Sequence, residues 1–307
     1  MDRLQAMQVF CRIIERGGFG RAADDLNLPR ATVSLAIQQL EAHLGAQLLQ
    51  RTTRRVSATL EGERYYQRCQ QLLADLDDLE SEVAASDLGP RGVLRVDMPA
   101  AFGCRWVMPH LAAFYARYPR MQLDLCFNDR HVQLRREGVD CALRAGSVGD
   151  PALVARPLAL VPQLTCASPG YLARHGTPQA LEGLRQGHRM VNFPASNGQY
   201  FPLDFERGGK VVAISLPGDI CVDSADAFVQ AALAGFGLVQ LPRYHVEQYL
   251  QDGRLVPVLE HLPVPHWPLM LVYPPHRHHS PRLRVFIDWV LERIRLEVAH
   301  GAPLLAA

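Results

Sequence analysis

Apolar residues recur at steps of three and four along the first 44 residues, as they do on one face of a helix. Three stripes are predicted to be buried: Leu4, Met7, Phe10, Cys11 and Ile14; Ala22, Ala23 and Leu26; and Val33, Ile37, Leu40 and Leu44. Between the last two stripes, Asn27-Leu28-Pro29 predicts a tight turn, because Asn accepts a left-handed backbone and Pro suits the first turn of a helix. The pattern predicts a helix-turn-helix lying on a preceding helix.

Polar side chains of the second helix in this pair lie away from its apolar stripe. They include Arg30, Thr32, Ser34 and Gln38. Such a face is typical of a helix that reads the DNA major groove. The turn alone also allows an ordinary helical hairpin with a solvated polar face.

A basic segment follows the predicted helix pair. It consists of Arg51, Thr52, Thr53, Arg54 and Arg55, ahead of a strand-like stretch at Val56–Thr59. Guanidinium groups and hydroxyls both donate to phosphate oxygens. Its position directly behind a helix-turn-helix favours a two-stranded wing that contacts DNA over a merely solvated charge run.

A single long helix is predicted from Glu61 to about Asp87. Its apolar seam is Tyr65, Cys69, Leu72, Leu76, Leu79 and Val83, at alternating steps of four and three. This heptad spacing predicts pairing with the same helix of a second copy, and hence a dimer. The alternative is that the seam packs on the chain's own C-terminal part.

Gly89-Pro90 ends this helix, and strand-like and helix-like segments then alternate. Strands at 93–98, 121–127 and 139–144, with helices at 103–118 and 132–137, predict a largely parallel sheet. Further strands are predicted at 189–193, 210–215, 220–223 and 237–241, and a final helix at 281–298. Because the chain runs out and returns, we expect a bilobed α/β domain, with 92–162 and 267–300 in lobe I and 163–266 in lobe II.

Composition narrows the possible functions. The 307 residues carry a net charge of +1, and the seven cysteines include no C-x-x-C pair. No leader and no apolar run long enough to span a membrane is predicted, so we expect a cytoplasmic protein. The chain has no G-x-S-x-G, H-E-x-x-H or P-loop motif. An enzyme is therefore not expected, and no cofactor or metal site is predicted.

The N-terminal motifs resemble those of LysR-type transcriptional regulators. The residues that carry the resemblance are Ala22-Ala23, Leu26, Leu28, Val33-Ser34, Ala36-Ile37, Leu40-Glu41, Leu44-Gly45, Leu48-Leu49, Arg51–Arg54, Thr59 and Gly62. The run Arg136–Gly146 is similar to the effector domain of the same family, and the chain is most like its CrgA subgroup. The resemblance implies a winged helix-turn-helix at 1–60, a linker helix for dimerisation at 61–88, and a periplasmic-binding-protein-like effector domain.

The resemblance also implies a ligand cleft at the carboxyl ends of the strands. The residues expected there are Pro99, Ala100, Ala101, Phe102, Arg144, Asn192, Phe193, Ser224 and Pro242. Ala100 and Ala101 stand where relatives usually carry Ser or Thr, which weakens the expectation of a carboxylate effector. Arg144 is predicted either to anchor an acidic ligand or to pair with Asp140 or Asp150.

The function that follows is sequence-specific regulation of transcription. A dimer, or a pair of dimers as the resemblance implies, is expected to bind a partly palindromic double-stranded DNA site. A small-molecule effector between the lobes is expected to alter that binding. The alternative is a DNA-binding repressor whose C-terminal half only oligomerises.

Overall fold

The computed structural model describes residues 2–51, 56–83, 89–129, 134, 138–146, 150–195, 198–275, 277 and 280–299. The N-terminal elements are α1 (Arg3–Arg16), α2 (Phe19–Leu26), α3 (Arg30–Leu44), β1 (Leu49–Arg51), β2 (Val56–Ala58) and α4 (Leu60–Val83). Helices α1 to α3, the β1–β2 pair and the start of α4 share one apolar core.

Helix α1 buries most of the stripe that the sequence predicted, and further residues beside it. Its buried residues are Ala6, Val9, Phe10, Cys11 and Ile13. Leu4 is 43% exposed, and Met7 and Ile14 are only half-buried. Phe10 and Cys11 are thus buried as predicted, and Met7 and Ile14 pack against the same core, whereas the prediction for Leu4 is wrong. The additional burial arises because α1 contacts α4 as well as the two helices that follow it.

Helices α2 and α3 form the predicted helix-turn-helix. Asn27 ends α2 in the left-handed conformation, with φ of 52°. Pro29 precedes α3 in extended conformation and supplies no side-chain acceptor to it. Val33, Ile37 and Leu40 are buried as predicted, but Leu44 is 40% exposed. Leu44 lies in the last turn before Gly45, where α3 has passed the edge of the core.

The β1–β2 pair is antiparallel. Glu41 connects it to α3, and Thr59 connects the segment before β1 to the start of α4. Glu41 Oε1 accepts hydrogen bonds from the backbone N–H groups of Leu48 and Leu49, at 2.8 and 3.1 Å. The Thr59 hydroxyl donates to the Gln47 carbonyl at 2.7 Å and accepts from Gly62 N at 2.9 Å. Residues 52–55, the tip of the predicted wing, lie outside the described residues.

The apolar seam of α4 is divided between two surroundings. Tyr65 packs against Phe10 with ring centroids 5.6 Å apart, and Cys69 is buried in the same core. The prediction that Cys69 faces a partner helix is therefore wrong, since its side chain is 1% exposed within its own chain. Leu72 and Leu79 are 53% and 59% exposed. Leu76 is half-buried, and the side chain of Val83 lies outside the description.

A buried ion-pair network fixes the second half of α4 to the C-terminal domain. The Arg282 guanidinium donates to Asp78 Oδ1 at 2.7 Å and to the carbonyls of Val93 and Ala74 at 2.7 and 2.8 Å. Arg277 contacts Asp75 at 2.7 Å and Asp140 at 3.0 Å. The sequence left open that the apolar seam packs on the C-terminal part. The contact seen here is made by Asp75, Asp78 and the Ala74 carbonyl, which are not members of that seam.

The C-terminal strands are β3 (Gly92–Met98), β4 (Met121–Phe127), β5 (Cys141–Ala145), β6 (Val154–Val161), β7 (Gln163–Ala167), β8 (Leu203–Arg207), β9 (Lys210–Ile214), β10 (Val239–Pro242), β11 (Val256–Pro257) and β12 (Trp267–Tyr273). The helices are α5 (Ala100–Phe102), α6 (Leu111–Arg117), α7 (Pro169–His175), α8 (Leu181–Leu184), α9 (Ala225–Leu233), α10 (Glu247–Gln251) and α11 (Pro281–Ala299). A π turn at Gly103–Val107 and a 3-10 turn at Met108–His110 connect α5 to α6.

The first sheet has the order β4-β3-β5-β12-β6. Strands β4 and β5 run parallel to β3, as predicted, and β12 is antiparallel to both its neighbours. The predicted helix at 103–118 starts earlier, at Ala100, and is interrupted by the π and 3-10 turns. Of the predicted helix at 132–137, only Leu134 lies within the described residues.

The second sheet has the order β10-β7-β11, with antiparallel pairs. The predicted strands at 189–193 and 220–223 are reduced to isolated bridges that join Met190 to Leu238 and Asn192 to Cys221. Strand β9 lies where 210–215 was predicted, but its hairpin partner β8 was not foreseen. Helix α9 packs on this sheet through Phe228 and Val229.

Gly62 sits where no side chain fits, and Gly62→Ala tests the attachment of the β1–β2 pair. A Cβ on Gly62 would lie 1.9 Å from the Leu48 carbonyl oxygen. We expect the substitution to lower the free energy of unfolding by about 2–4 kcal/mol, because backbone must move. Urea denaturation of the full chain measures this. Gly18→Ala, where a Cβ meets open space, should cost about 1 kcal/mol or less. An equal fall in stability for both variants would contradict the interpretation.

Candidate functional site

The outer face of α3 presents the residues predicted to read DNA. Arg30, Thr32 and Gln38 are exposed and Ser34 is half-buried. Arg30, Ser34 and Gln38 are spaced four apart, so they lie in one row along the helix. The Arg30 guanidinium lies against Gly20 of α2, where a Cβ would be only 3.1 Å from Arg30 Nη2. The absence of a side chain at Gly20 thus allows Arg30 to lie across the pair of helices.

Within the described residues, some arginines near this face are paired with an acidic residue, and others are not. Arg12 and Arg16 of α1 both pair with Asp25, at 3.0 and 2.7 Å. Arg30 makes no ion pair with any residue of the described part of the chain. Arg51 ends β1, and its side chain, like Thr52, Thr53, Arg54 and Arg55, lies outside the described residues. The described face therefore offers Arg30 as a cation available to a phosphate or a base edge.

A cavity of about 300 Å³ lies between the two sheets of the C-terminal domain. One wall is aromatic: Phe193 lies 5.4 Å from Phe228, and Phe201 lies 5.3 Å from Trp267, between ring centroids. Polar groups in the lining include Asn128, Asp129, Arg144, Asp223, Gln240 and His245. The volume and the mainly apolar wall with a few polar groups suit a small organic ligand.

Four of the nine residues predicted for the cleft line this cavity: Pro99, Arg144, Phe193 and Pro242. Phe102 is buried against Trp106 instead, with ring centroids 5.0 Å apart. Asn192 joins the strand-like bridge to Cys221. Ala100, Ala101 and Ser224 stand beside the cavity without lining it, although Ala225, the residue after Ser224, does line it.

Arg144 pairs with a residue that the sequence did not indicate. Its Nη2 lies 2.5 Å from Asp97 Oδ1, and both side chains are buried. The two atoms are not aligned for a hydrogen bond, so the contact is a charge pair. The predicted partners are engaged elsewhere: Asp140 with Arg277, and Asp150 with the backbone N–H of Ala152. The prediction that Arg144 pairs with Asp140 or Asp150 was wrong.

Asp129 is the residue that the sequence analysis missed. It follows β4, and its carboxylate accepts from Ala100 N at 3.2 Å and from Ala225 N at 2.8 Å. Ala100 follows a strand of the first sheet, whereas Ala225 begins the helix packed on the second sheet. One carboxylate thus joins the two sides of the cavity. Its place at the carboxyl end of a strand was the only signal in the sequence.

His245 and Tyr244 border the same cavity. Burial lowers the pKa of His245 to about 4, although the charges of Asp129 and Asp226 act in the opposite direction. The imidazole is therefore neutral near pH 7. Its ring stacks on Tyr244 with centroids 4.3 Å apart. Tyr244 in turn meets Trp106 edge-on at 4.8 Å.

Metal-binding and membrane-spanning features are both absent from the described residues. No group of three or more His, Cys, Asp or Glu side chains there is placed to hold a metal ion. In the same part of the chain, no helix is long and apolar enough to cross a membrane.

Both halves of the chain match known family models. Residues 4–63 match the model described as a bacterial regulatory helix-turn-helix protein of the lysR family. Residues 88–295 match the model of the LysR substrate binding domain. The first match covers the helix-turn-helix and the β1–β2 pair, and the second covers both C-terminal sheets.

Relatives align over nearly the whole chain. It is 38% identical to the uncharacterized HTH-type transcriptional regulator YhjC of Escherichia coli, over 94% of this chain and 97% of that protein. It is also 38% identical to an HTH-type transcriptional repressor of Pseudomonas aeruginosa, over 95% of this chain and 92% of that protein. The solved structure of CrgA, a LysR-type transcriptional regulator from Neisseria meningitidis, gives a TM-score of 0.55 at 34% identity, over 94% of this chain and 97% of that chain.

The lowered pKa of His245 predicts a decrease in stability in mild acid. The folded chain binds this proton only near pH 4, whereas an unfolded histidine binds it near pH 6.5. The unfolded state therefore gains protons first, and stability falls as the pH drops from 6.5 towards 4. Because the ring keeps some exposure to the cavity, we expect His245 to account for about 1–2 kcal/mol of that fall.

His245→Gln should remove this component. Urea denaturation at pH 7 and pH 5 gives the stability change for the wild type and the variant. His261→Gln, at an exposed position, is the control and should keep the wild-type pH dependence. An unchanged pH dependence in His245→Gln would show that the histidine is not the responsible group.

Proposed function

The chain belongs to the LysR family of DNA-binding transcriptional regulators, and we propose that its cavity binds a small-molecule effector that alters DNA binding. The family resemblance read from the motifs and the predicted fold class are confirmed. The relatives are named transcriptional regulators and not enzymes. In the proposal, 1–60 reads DNA, 61–88 dimerises, and 92–162 with 267–300 and 163–266 form the two lobes around the cavity.

The observation that carries the effector proposal is the cavity between two sheets joined by one carboxylate. Asp129 touches both sides at hydrogen-bond distance. A ligand that enters the cavity changes how those sides approach each other, and differential contacts of this kind shift a conformational equilibrium. A C-terminal half that served only oligomerisation would not need an aromatic-walled cavity of this size.

We assign the reading of the DNA sequence to the outer face of α3. Gln38 and Arg30 carry donors suited to base edges, and Thr32 and Ser34 carry hydroxyls suited to phosphates. Arg51, Thr52, Thr53, Arg54 and Arg55 are proposed to contact the backbone at the wing. The target is a partly palindromic promoter site, bound in the cytoplasm by a symmetric oligomer.

Self-association is proposed through the part of α4 that the chain leaves uncovered. Leu72 and Leu79 are the exposed members of the seam, and Leu76 and Val83 continue it. Tyr65 packs partly against α1 and is half-buried. We assign it to the edge of the proposed contact between two copies of α4. LysR regulators form oligomers, and we propose a dimer through this shortened seam, with a pair of dimers as the larger assembly.

Gln38→Ala tests sequence reading. Without the amide there is no hydrogen bond to a base edge in the major groove, so binding to the specific site should weaken by about 5- to 100-fold, with little effect on random DNA. The site is first obtained by selecting genomic fragments with the full-length protein near physiological salt, where non-specific binding is weak. Fluorescence anisotropy then compares both DNAs. Gln248→Ala, an exposed glutamine on α10, is the control. An equal decrease in affinity for both DNAs would oppose a reading role.

Ala145→Phe tests the cavity. Ala145 lines it, and a benzyl group there should exclude the effector. A compound library is screened by thermal shift on the wild type, and the strongest binder is added to the DNA-binding assay. We expect it to change wild-type DNA affinity by at least about 5-fold, the size of a modest allosteric coupling, and to leave Ala145→Phe unaffected. Val211→Phe, on the exposed β9, should respond normally. A response that persists in Ala145→Phe would place the effector elsewhere.

A further inference from the structure

We propose that the Asp129 carboxylate occupies the backbone donors that an acidic ligand would need. The effector is then an uncharged, largely apolar compound and not an acid. This inference rests on the proposed function of the cavity as the effector site. It concerns the chemical class of the ligand, which follows from the groups that face the space.

The two backbone donors between the sheets are already occupied. Asp129 Oδ1 accepts from Ala100 N at 3.2 Å and Asp129 Oδ2 accepts from Ala225 N at 2.8 Å. Ala225 N belongs to the first turn of α9, a nine-residue helix, where a negative charge is stabilised. An effector carboxylate would compete for these donors with a carboxylate that is tethered beside them.

No unpaired cation faces the cavity among the described lining residues. Arg144 is matched by the buried Asp97 at 2.5 Å. Burial lowers the pKa of His245, so its ring carries no charge at neutral pH. Asp129 and Asp223 are the remaining acidic groups in the lining. An acidic ligand would therefore enter a space whose unpaired charges are negative, which costs free energy.

The other lining groups favour an apolar ligand. Phe193, Phe201, Phe228 and Trp267 form the aromatic wall. Both donors of Gln240 are already used, because it donates to Thr165 Oγ1 and the Asp204 carbonyl, and its oxygen accepts from Asp204 N. Ring-bearing compounds that fill part of about 300 Å³ would bury apolar surface against this wall.

Chemical rescue with formate tests the role of Asp129. Asp129→Ala removes a carboxylate that formate matches in size and charge, and it leaves two backbone donors open. In the full-length protein we expect the midpoint of thermal unfolding to fall by about 2–4 °C. Sodium formate at about 50 mM should restore more than half of that fall, measured against sodium chloride at equal ionic strength. The wild type should show no specific response to formate.

Two further variants serve as controls. Asp150→Ala removes a carboxylate that accepts from a single backbone N–H on an exposed loop, and formate should not rescue it, because water reaches its donor. Asp129→Asn keeps the shape and one acceptor oxygen, so its midpoint should lie between those of the wild type and Asp129→Ala. Absence of rescue in Asp129→Ala, or an equal formate response in the wild type, would overturn the proposal.

Matched pairs of aromatic carboxylates and carboxamides then test ligand class. In thermal-shift titrations of the wild type, the carboxamides should give the larger shifts, and Asp129→Ala should gain at least about 10-fold in carboxylate affinity, the effect of about one hydrogen bond to a charge. Stronger binding of carboxylates to the wild type would contradict the inference. If no compound affects DNA binding while formate still rescues Asp129→Ala, the effector function fails and the role of Asp129 stands.

Discussion

The arrangement of the domains depends on one buried charge. Arg282 is 2% exposed, and its guanidinium is satisfied by Asp78 and by the carbonyls of Ala74 and Val93. Burial opposes the charged form, yet the hydrogen bond and the attraction of Asp78 raise the pKa of Arg282. A buried cation stripped of such partners is strongly destabilising. Helix α4 therefore lies where its acidic side meets Arg282, and this contact fixes the linker to the effector domain.

The same network places the cavity and the linker helix at opposite ends of one strand. Val93, near the start of β3, accepts from Arg282, and Asp140 accepts from Arg95 N in the same strand while it pairs with Arg277. At its other end β3 leads to Pro99, which lines the cavity, and to Ala100, which donates to Asp129. A movement at the cavity thus has a short, hydrogen-bonded path to α4. Strand β3 is therefore the element through which coupling between the cavity and α4 would act.

The parts of the structure that the sequence predicted are those set by local rules. Asn27 and Pro29 define the turn before α3, and the final helix predicted at 281–298 forms as α11. What failed depends on distant neighbours. The seam of α4 divides because Cys69 is buried in the core that includes α1, whereas Leu72 is 53% exposed. The pairing of Arg144 with Asp97 joins two strands, and no local pattern in the sequence shows how these strands align. Asp129 joins the two sides of the cavity only because the fold brings the start of α9 next to it.

Asp97 and Asp129 illustrate how this chain treats charge beside its cavity. Each acidic group has partners within the chain. Asp97 forms a charge pair with Arg144 and accepts from Asn128, and Asp129 accepts from two backbone donors. An acidic ligand would have to displace the Asp129 carboxylate from its two backbone donors. Selection between ligands then rests on shape and apolar area, with rejection of acids provided by the protein's own carboxylates. Ala100 and Ala101 agree with this, since they add no side-chain hydroxyl and the Ala100 backbone donor is already used by Asp129.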